Sequence, residues 1–442
     1  MSRVSPARKA AFSILLRLEQ GKGHSDELLR SQEVSALSPA DRNLTTALVL
    51  GVLRWQVALD QQIQEHLKKP NAKLDTEVRI ALRLGAFQIF HLDRIPARAA
   101  IDESVELAKV AGHRFASGMV NAVLRKLAAA GAEAKAASTE TSAYPAWMVS
   151  RWTEQFGDET ACVICRAGQH PAPLALRLID PNAASELNCA GVQLEPGELL
   201  SQTRIVLTGD VTATAAFQEG RIRVQDEGSQ LIAEIAGRGS TILDCCAAPG
   251  GKTMILAERN PSATIVACEA SEPRLRAMRE RVQSFVGRTE LRHADATQLQ
   301  YESQFDLVLA DVPCSGTGTL GRNPEIRHRL RSEEFARQSE RQLEILARAI
   351  QAAKPGGRIV YSTCSLEREE DEDVIAAVLA QNEFVRVVPL AERLGAMESE
   401  QILLSGAAER LASSLTPGGY LRLFPGQFGT DGFFVAVLER IR

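Results

Sequence analysis

The sequence predicts an α/β protein: a doubly wound, mainly parallel sheet domain, preceded by an all-helical domain and a small α+β module. Three observations predict it. From about residue 226 onward, apolar strand-like runs alternate with helical stretches, the pattern of parallel strands joined by crossover helices. Over residues 5–130 apolar residues recur at helical spacing. Between these lies a stretch of mixed character that begins after a run of small and polar residues.

The helical part, residues 1–130, contains "AAFSILLRLEQ", "LTTALVLGVLRWQVALDQQIQEHL", "VRIALRLGAFQIFHL" and "AIDESVELAKVAG". Pro39 with Asp41 marks one helix start, and Ile95-Pro96 another boundary. Residues 131–144 fall in the small, polar "LAAAGAEAKAASTETSAYP" and are expected to form a linker. Residues 145–225 open with the helical "PAWMVSRWTEQFG" and continue with strand-like "PLALRLID", "RIVLTG" and "RIRVQDEG". In residues 226–442 the expected strands are "TILDCCA", "ATIVACEA", "TELRHAD", "FDLVLADVP" and "RIVYSTC". "YLRLFPG" and "GFFVAVLER", joined by "GQFGTD", are expected to form an antiparallel hairpin at the sheet edge.

The composition is that of a globular protein, 45% hydrophobic and 24% charged. No apolar run approaches the ~20 residues of a membrane span, and no signal peptide is recognised, so the cytoplasm is the expected location. Cys162 and Cys165 form a C-x-x-C with no second pair or histidine cluster, which favours helix packing over zinc; no metal is expected. The net charge of −4 is unevenly distributed. Residues 1–130 carry 19 Lys/Arg against 13 Asp/Glu and suit a polyanion better than the remainder, although a solvated helical surface has the same composition.

"LDCCAAPGGKT" joins the first strand of the sheet domain to a helix, at the end of the sheet where ligands of open α/β folds bind. Its Gly250 and Gly251 permit close backbone approach. The phosphate-binding motif G-x-x-x-x-G-K-[ST] fails here, because Cys246 occupies its first glycine position. Glu269 and Asp295 end the next two strands, suited to accept hydrogen bonds from ribose hydroxyls and an adenine amino group. That pattern fits S-adenosylmethionine, which carries adenosine without phosphate. Asp311 and Cys314 end the fourth strand, and Cys364 the fifth. A thiolate added to carbon 6 of cytosine makes carbon 5 nucleophilic toward a methyl sulfonium, and a second thiol can assist release. The chemistry alone does not say which cysteine attacks.

"LDCCAAPGGKT", "DVPCSGTG" with "RNPEIRHRL", "YSTCS" and "RVQDEGSQL" resemble the motifs of the Nop/Sun family of RNA 5-methylcytosine methyltransferases, and residues 1–130 resemble a NusB-type RNA-binding domain. Cys245 and Val312 depart from the family pattern without removing a reacting group. The resemblance implies a Rossmann-like S-adenosylmethionine methyltransferase domain. It implies methylation of carbon 5 of a 16S ribosomal RNA cytosine, cytosine 967 in the usual numbering. It assigns Cys364 as nucleophile, Cys314 to product release, and Asp311 to both cofactor and base. It places the cofactor against Cys246, Ala247, Ala248, Pro249, Gly250, Gly251, Lys252, Glu269, Arg274, Asp295 and Asp311. The expected partner is free or partly assembled small-subunit RNA, bound by a monomer. A transfer RNA cytosine-5 methyltransferase and a non-catalytic NusB-like RNA-binding factor stay open as alternatives.

Overall fold

The computed structural model describes residues 4–69, 73–137, 139–285 and 287–442. Its chain divides into two compact units: Met1–Pro171 with Leu320–Arg329, and Ala172–Thr319 with Leu330–Arg442.

The first unit is helical. Its main helices are Pro6–Glu19, Pro39–His66, Thr76–His91, Ala97–Val110, Ser117–Ala137, Ala146–Phe156 and Asp158–Ala167. Ser38 caps the second, accepting from Asp41 N at 3.2 Å, with Pro39 preset at its first position. The core gathers Leu15, Leu48, Val52, Ile80, Leu84 and Leu124. The ion pairs of Arg83 with Glu19 and Asp60 satisfy a guanidinium buried beside that core.

Two expectations shift here. The run expected as a linker begins as helix, because the alanine-rich "LAAAGAEAKAA" is a good helix former; only Gly131, at φ 47°, interrupts it. Position 138, within the same expected linker, lies outside the described residues. The expected 145–225 module is divided, with Ala146–Phe156 and Asp158–Ala167 in the first unit and its strands, with the short helices Ala183–Cys189 and Ala215–Gln218, in the second.

The first unit also contains Leu320–Arg329, more than 140 residues further along the chain. Glu325 accepts from Ser25 N at 2.9 Å and Ser25 Oγ at 2.8 Å. The Arg327 guanidinium lies 3.9 Å from the Tyr144 ring centroid and donates to Arg54 O and Gly168 O. His328 Nε2 sits 2.7 Å from Leu53 O.

The second unit holds two sheets. Strands β1 (Leu174–Leu178), β2 (Gln193–Pro196), β3 (Thr203–Thr208) and β4 (Ile222–Val224) form an antiparallel sheet in the order β2-β3-β1-β4. The larger sheet contains β5 (Thr241–Asp244), β6 (Thr264–Glu269), β7 (Thr289–His293), β8 (Phe305–Asp311), β9 (Ala353–Thr363), β10 (Val385–Val387), β11 (Leu421–Leu423) and β12 (Phe433–Arg440). Its order is β10-β12-β9-β8-β5-β6-β7, with β11 paired to β12. The five strands from β5 to β9 are parallel. Their interior residues, such as Leu307, Val308, Leu309, Ile359 and Val360, are fully buried, as strands covered on both faces require.

The C-terminal hairpin differs in place from the expectation. β11 and β12 do pair antiparallel, but β12 inserts between β9 and β10, so the short β10 takes the edge. The apolar "FFVAV" is buried throughout, which an edge position would not allow. The chain leaves β5 toward β6 and β7, then returns to β8 on the other side of β5. In open α/β sheets such a reversal marks the carboxyl ends of the flanking strands, here β5 and β8, as the place where ligands bind.

Candidate active site

The turn after β5 is tied to both neighbouring strands. Cys245 N donates to Leu309 O at 2.9 Å, and Ala247 N to Cys268 O at 2.8 Å. Gly250 has φ 101°, a conformation that suits glycine, and the helix Gly251–Arg259 starts immediately after it. Thr253 Oγ1, in the first turn of that helix, donates to Asp244 Oδ2 at 2.7 Å. Burial pushes Asp244 up to about 7 against the pull of that bond, with the Asp311 charge adding to the rise.

At the end of β6, the buried Glu269 accepts from Ser271 N at 2.8 Å. Arg274 Nη1 stands 3.6 Å from Glu269 Oε2, and its Nη2 donates to Ala248 O at 2.9 Å. Two residues beyond β7, Asp295 Oδ1 accepts from Thr297 N at 3.0 Å and Thr297 Oγ1 at 2.9 Å. The Thr297 backbone bond, chiefly, holds Asp295 below the usual carboxylate range.

Asp311 and Ser362 are register partners on the parallel pair β8–β9, and Ser362 Oγ donates to Asp311 Oδ1 at 2.7 Å. Lys252 Nζ holds the other oxygen at 2.7 Å. Burial opposes the Lys252 charge, but Asp311 and then Cys364 outweigh it, so the ammonium is held above its usual range.

Just past the same two strands, Cys314 Sγ and Cys364 Sγ lie 3.4 Å apart. Gly318 N donates to Cys364 O at 2.9 Å, and a Cβ on Gly318 would fall 2.3 Å from Gly432 O. Only glycine allows the cysteine loop to lie this close. The Cys364 sulfur first, then burial and the Glu370 charge, push the Cys314 thiol well above its usual range.

Sequence reasoning did not single out Ser362 or Glu370. Ser362 could have been found from the register of β8 and β9, which aligns it with Asp311. Glu370 sits in an acidic run that reads as solvated surface, yet it is fully buried. Among the described residues, no group of three or more His, Cys, Asp or Glu is placed to hold a metal ion, and no helix is long and apolar enough to cross a membrane.

The sequence pattern described as "16S rRNA methyltransferase RsmB/F" matches residues 236–439, and that of the NusB family matches residues 5–129. The "Probable ribosomal RNA small subunit methyltransferase B" of Bacillus subtilis (strain 168) is 33% identical over 457 residues, covering 98% of this chain and 98% of that protein. The chain belongs to the RsmB/F family of 16S rRNA methyltransferases. The "Ribosomal RNA small subunit methyltransferase B" of Vibrio cholerae is 32% identical over 450 residues, covering 98% of this chain and 97% of that protein. The crystal structure of PH0851 covers 99% of this chain and 100% of its own at 24% identity, with a TM-score of 0.78, and shares its fold.

The cofactor of an RsmB/F methyltransferase is S-adenosylmethionine, and the site's donor set suits it. Carboxylates stand at or just beyond the ends of three strands, and Glu269 keeps acceptor capacity beyond its bond to Ser271. The nearby cation, Lys252, is already engaged by Asp311, so the β5 turn lacks the free lysine of a phosphate cradle.

Proposed function

We propose that this protein methylates carbon 5 of a cytosine in 16S ribosomal RNA, cytosine 967 in the usual numbering, through a covalent adduct to Cys364. The observation that carries the reading is the 3.4 Å approach of Cys314 and Cys364 beside the Lys252–Asp311 pair.

In this reading the Cys364 thiolate bonds to carbon 6 of the base. Carbon 5 becomes nucleophilic; the 246–252 turn, Glu269, Asp295 and Asp311 would hold S-adenosylmethionine, which would supply the methyl group to carbon 5 and leave as S-adenosylhomocysteine. Arg274 acts on this site through Glu269 and Ala248. Once Cys364 is bonded to carbon, its sulfur no longer holds the Cys314 proton through their 3.4 Å contact. Cys314, its own thiol proton passed to water, then takes the carbon 5 proton; that C–H electron pair restores the carbon 5–carbon 6 double bond, the carbon–sulfur bond breaks, and its electron pair returns to Cys364. Asp311, fixed by Lys252 and Ser362, accepts from the exocyclic amino group that distinguishes cytosine from uracil. The target base must leave its stack to reach this pocket.

The NusB-like region, with its excess of Lys and Arg, supplies much of the RNA affinity through backbone contacts. Bisulfite sequencing of 16S RNA from a strain lacking the gene, and from the same strain with it restored, tests the reading. The protected cytosine is expected to disappear and return. Its persistence in the deletion strain, or loss of a transfer RNA cytosine instead, would contradict it.

A further inference from the structure

The acidic run that follows Cys364 contains a carboxyl group facing inward. Glu370 is fully buried, and four side-chain or backbone donors converge on it. Its Oε1 accepts from Ser315 N at 2.8 Å and Gln342 Nε2 at 3.2 Å. Its Oε2 accepts from the hydroxyls of Ser315 and Ser365. Ser315 directly follows Cys314, and Ser365 directly follows Cys364. Gln342 also donates to Pro313 O at 2.9 Å, gripping the residue on the other side of Cys314. The Glu370 carbonyl accepts from the Tyr361 hydroxyl, which anchors the carboxylate to β9.

We propose that Glu370 is a positioning residue that sets the spacing of the two reacting cysteines, by binding the residue after each of them through one carboxylate. The proposal rests on the reading of Cys314 and Cys364 as the reacting pair. A carboxylate offers about four acceptor positions, and all are used here. An amide fits less well: with its oxygen toward the Ser315 N–H and the Gln342 amide, its NH2 meets the two serine hydroxyls, which must then turn from donors into acceptors and lose their grip on a charged oxygen. A buried group that ties both loops also resists their drift, and small misplacements at a reacting centre cost large factors in rate.

The test uses the full chain with Glu370→Gln, with the double variant Ser315→Ala/Ser365→Ala, and with Asp373→Asn on the exposed side of the same run as control. The first readout is independent of methylation. Diamide oxidises adjacent thiols to a disulfide and is itself reduced to the hydrazine, so the rate of Cys314–Cys364 coupling, followed by peptide mass spectrometry, reports their spacing. Both site variants are expected to couple at least about tenfold more slowly, with S-adenosylmethionine affinity unchanged by calorimetry and the control like wild type. The second readout is kinetic: kcat per folded enzyme, with the folded fraction fixed by the stoichiometry of S-adenosylmethionine binding, should fall by at least about tenfold with KM for RNA and cofactor little changed. Should Glu370→Gln fail to fold, the double variant, which keeps the carboxylate and the Ser315 N–H bond, carries the same test. Wild-type coupling rates in the folded variants overturn the proposal whatever the methylation rate. Absence of cytosine methylation in the wild type would instead defeat the functional reading and leave the coupling result standing.

Discussion

At the scale of single residues, the site combines groups whose ionisation is set by each other. The two sulfurs at 3.4 Å share one environment, but Lys252 couples to Cys364 while Glu370 opposes a charge on Cys314. This asymmetry supports the proposed attack by Cys364, a choice that sequence chemistry alone left open. The cysteines, Asp311 and the glycine turn were legible because each lies where a predicted strand ends. Ser362 and Glu370 were not, since a serine in a strand and a glutamate in an acidic run carry no mark of burial. Glu269 gives a direct check on the cofactor site. Glu269→Ala removes a charged acceptor, a change on the order of 1.5–3 kcal/mol, so S-adenosylmethionine should bind about ten- to hundredfold more weakly by calorimetry. Unchanged affinity would remove Glu269 from the site.

At the scale of elements, parallel strands and their crossover helices were readable from apolar runs and spacing, and β5 to β9 fall on the expected segments. Long-range pairing was not. Nothing local in "GFFVAVLER" reveals that β12 inserts beside β9, because a buried strand reads alike in either position. Nor does "RNPEIRHRL" reveal that it folds with the helical unit. That segment makes a pH prediction. Burial first, with Arg327 and Arg83 beyond it, pushes His328 down to about 4, against the pull of the Leu53 carbonyl. A histidine with a depressed folded-state pKa stabilises fully above its unfolded value of about 6.5. That stability is lost as pH falls toward 4, at up to ~1.4 kcal/mol per pH unit, or about 3 kcal/mol in all. Urea unfolding at pH 4 and pH 7 should therefore show a smaller acid loss in His328→Gln than in wild type. Equal losses would show that His328 is not buried in its neutral form.

At the scale of the whole molecule, the two compact units do not map onto two continuous stretches of chain. Deleting the N-terminal region would strip Glu325, Arg327 and His328 of their partners, so RNA binding is better tested in the intact chain. Arg114, Arg125 and Lys126 are exposed in the helical unit. Replacing all three with glutamine should weaken RNA binding and flatten its salt dependence between about 50 and about 200 mM, by about one slope unit for each phosphate no longer neutralised. An unchanged slope would place the RNA-binding surface elsewhere on the molecule. The central claim, that Cys364 forms the bond to the base and Cys314 releases it, is tested most directly by denaturing gel electrophoresis of Cys364→Ala and Cys314→Ala after incubation with 16S RNA and S-adenosylmethionine. Cys314→Ala should accumulate a protein–RNA complex that survives denaturation, while Cys364→Ala should form none and transfer no methyl group. A stable complex with Cys364→Ala and none with Cys314→Ala would reverse the two roles, and none with either would contradict the covalent route.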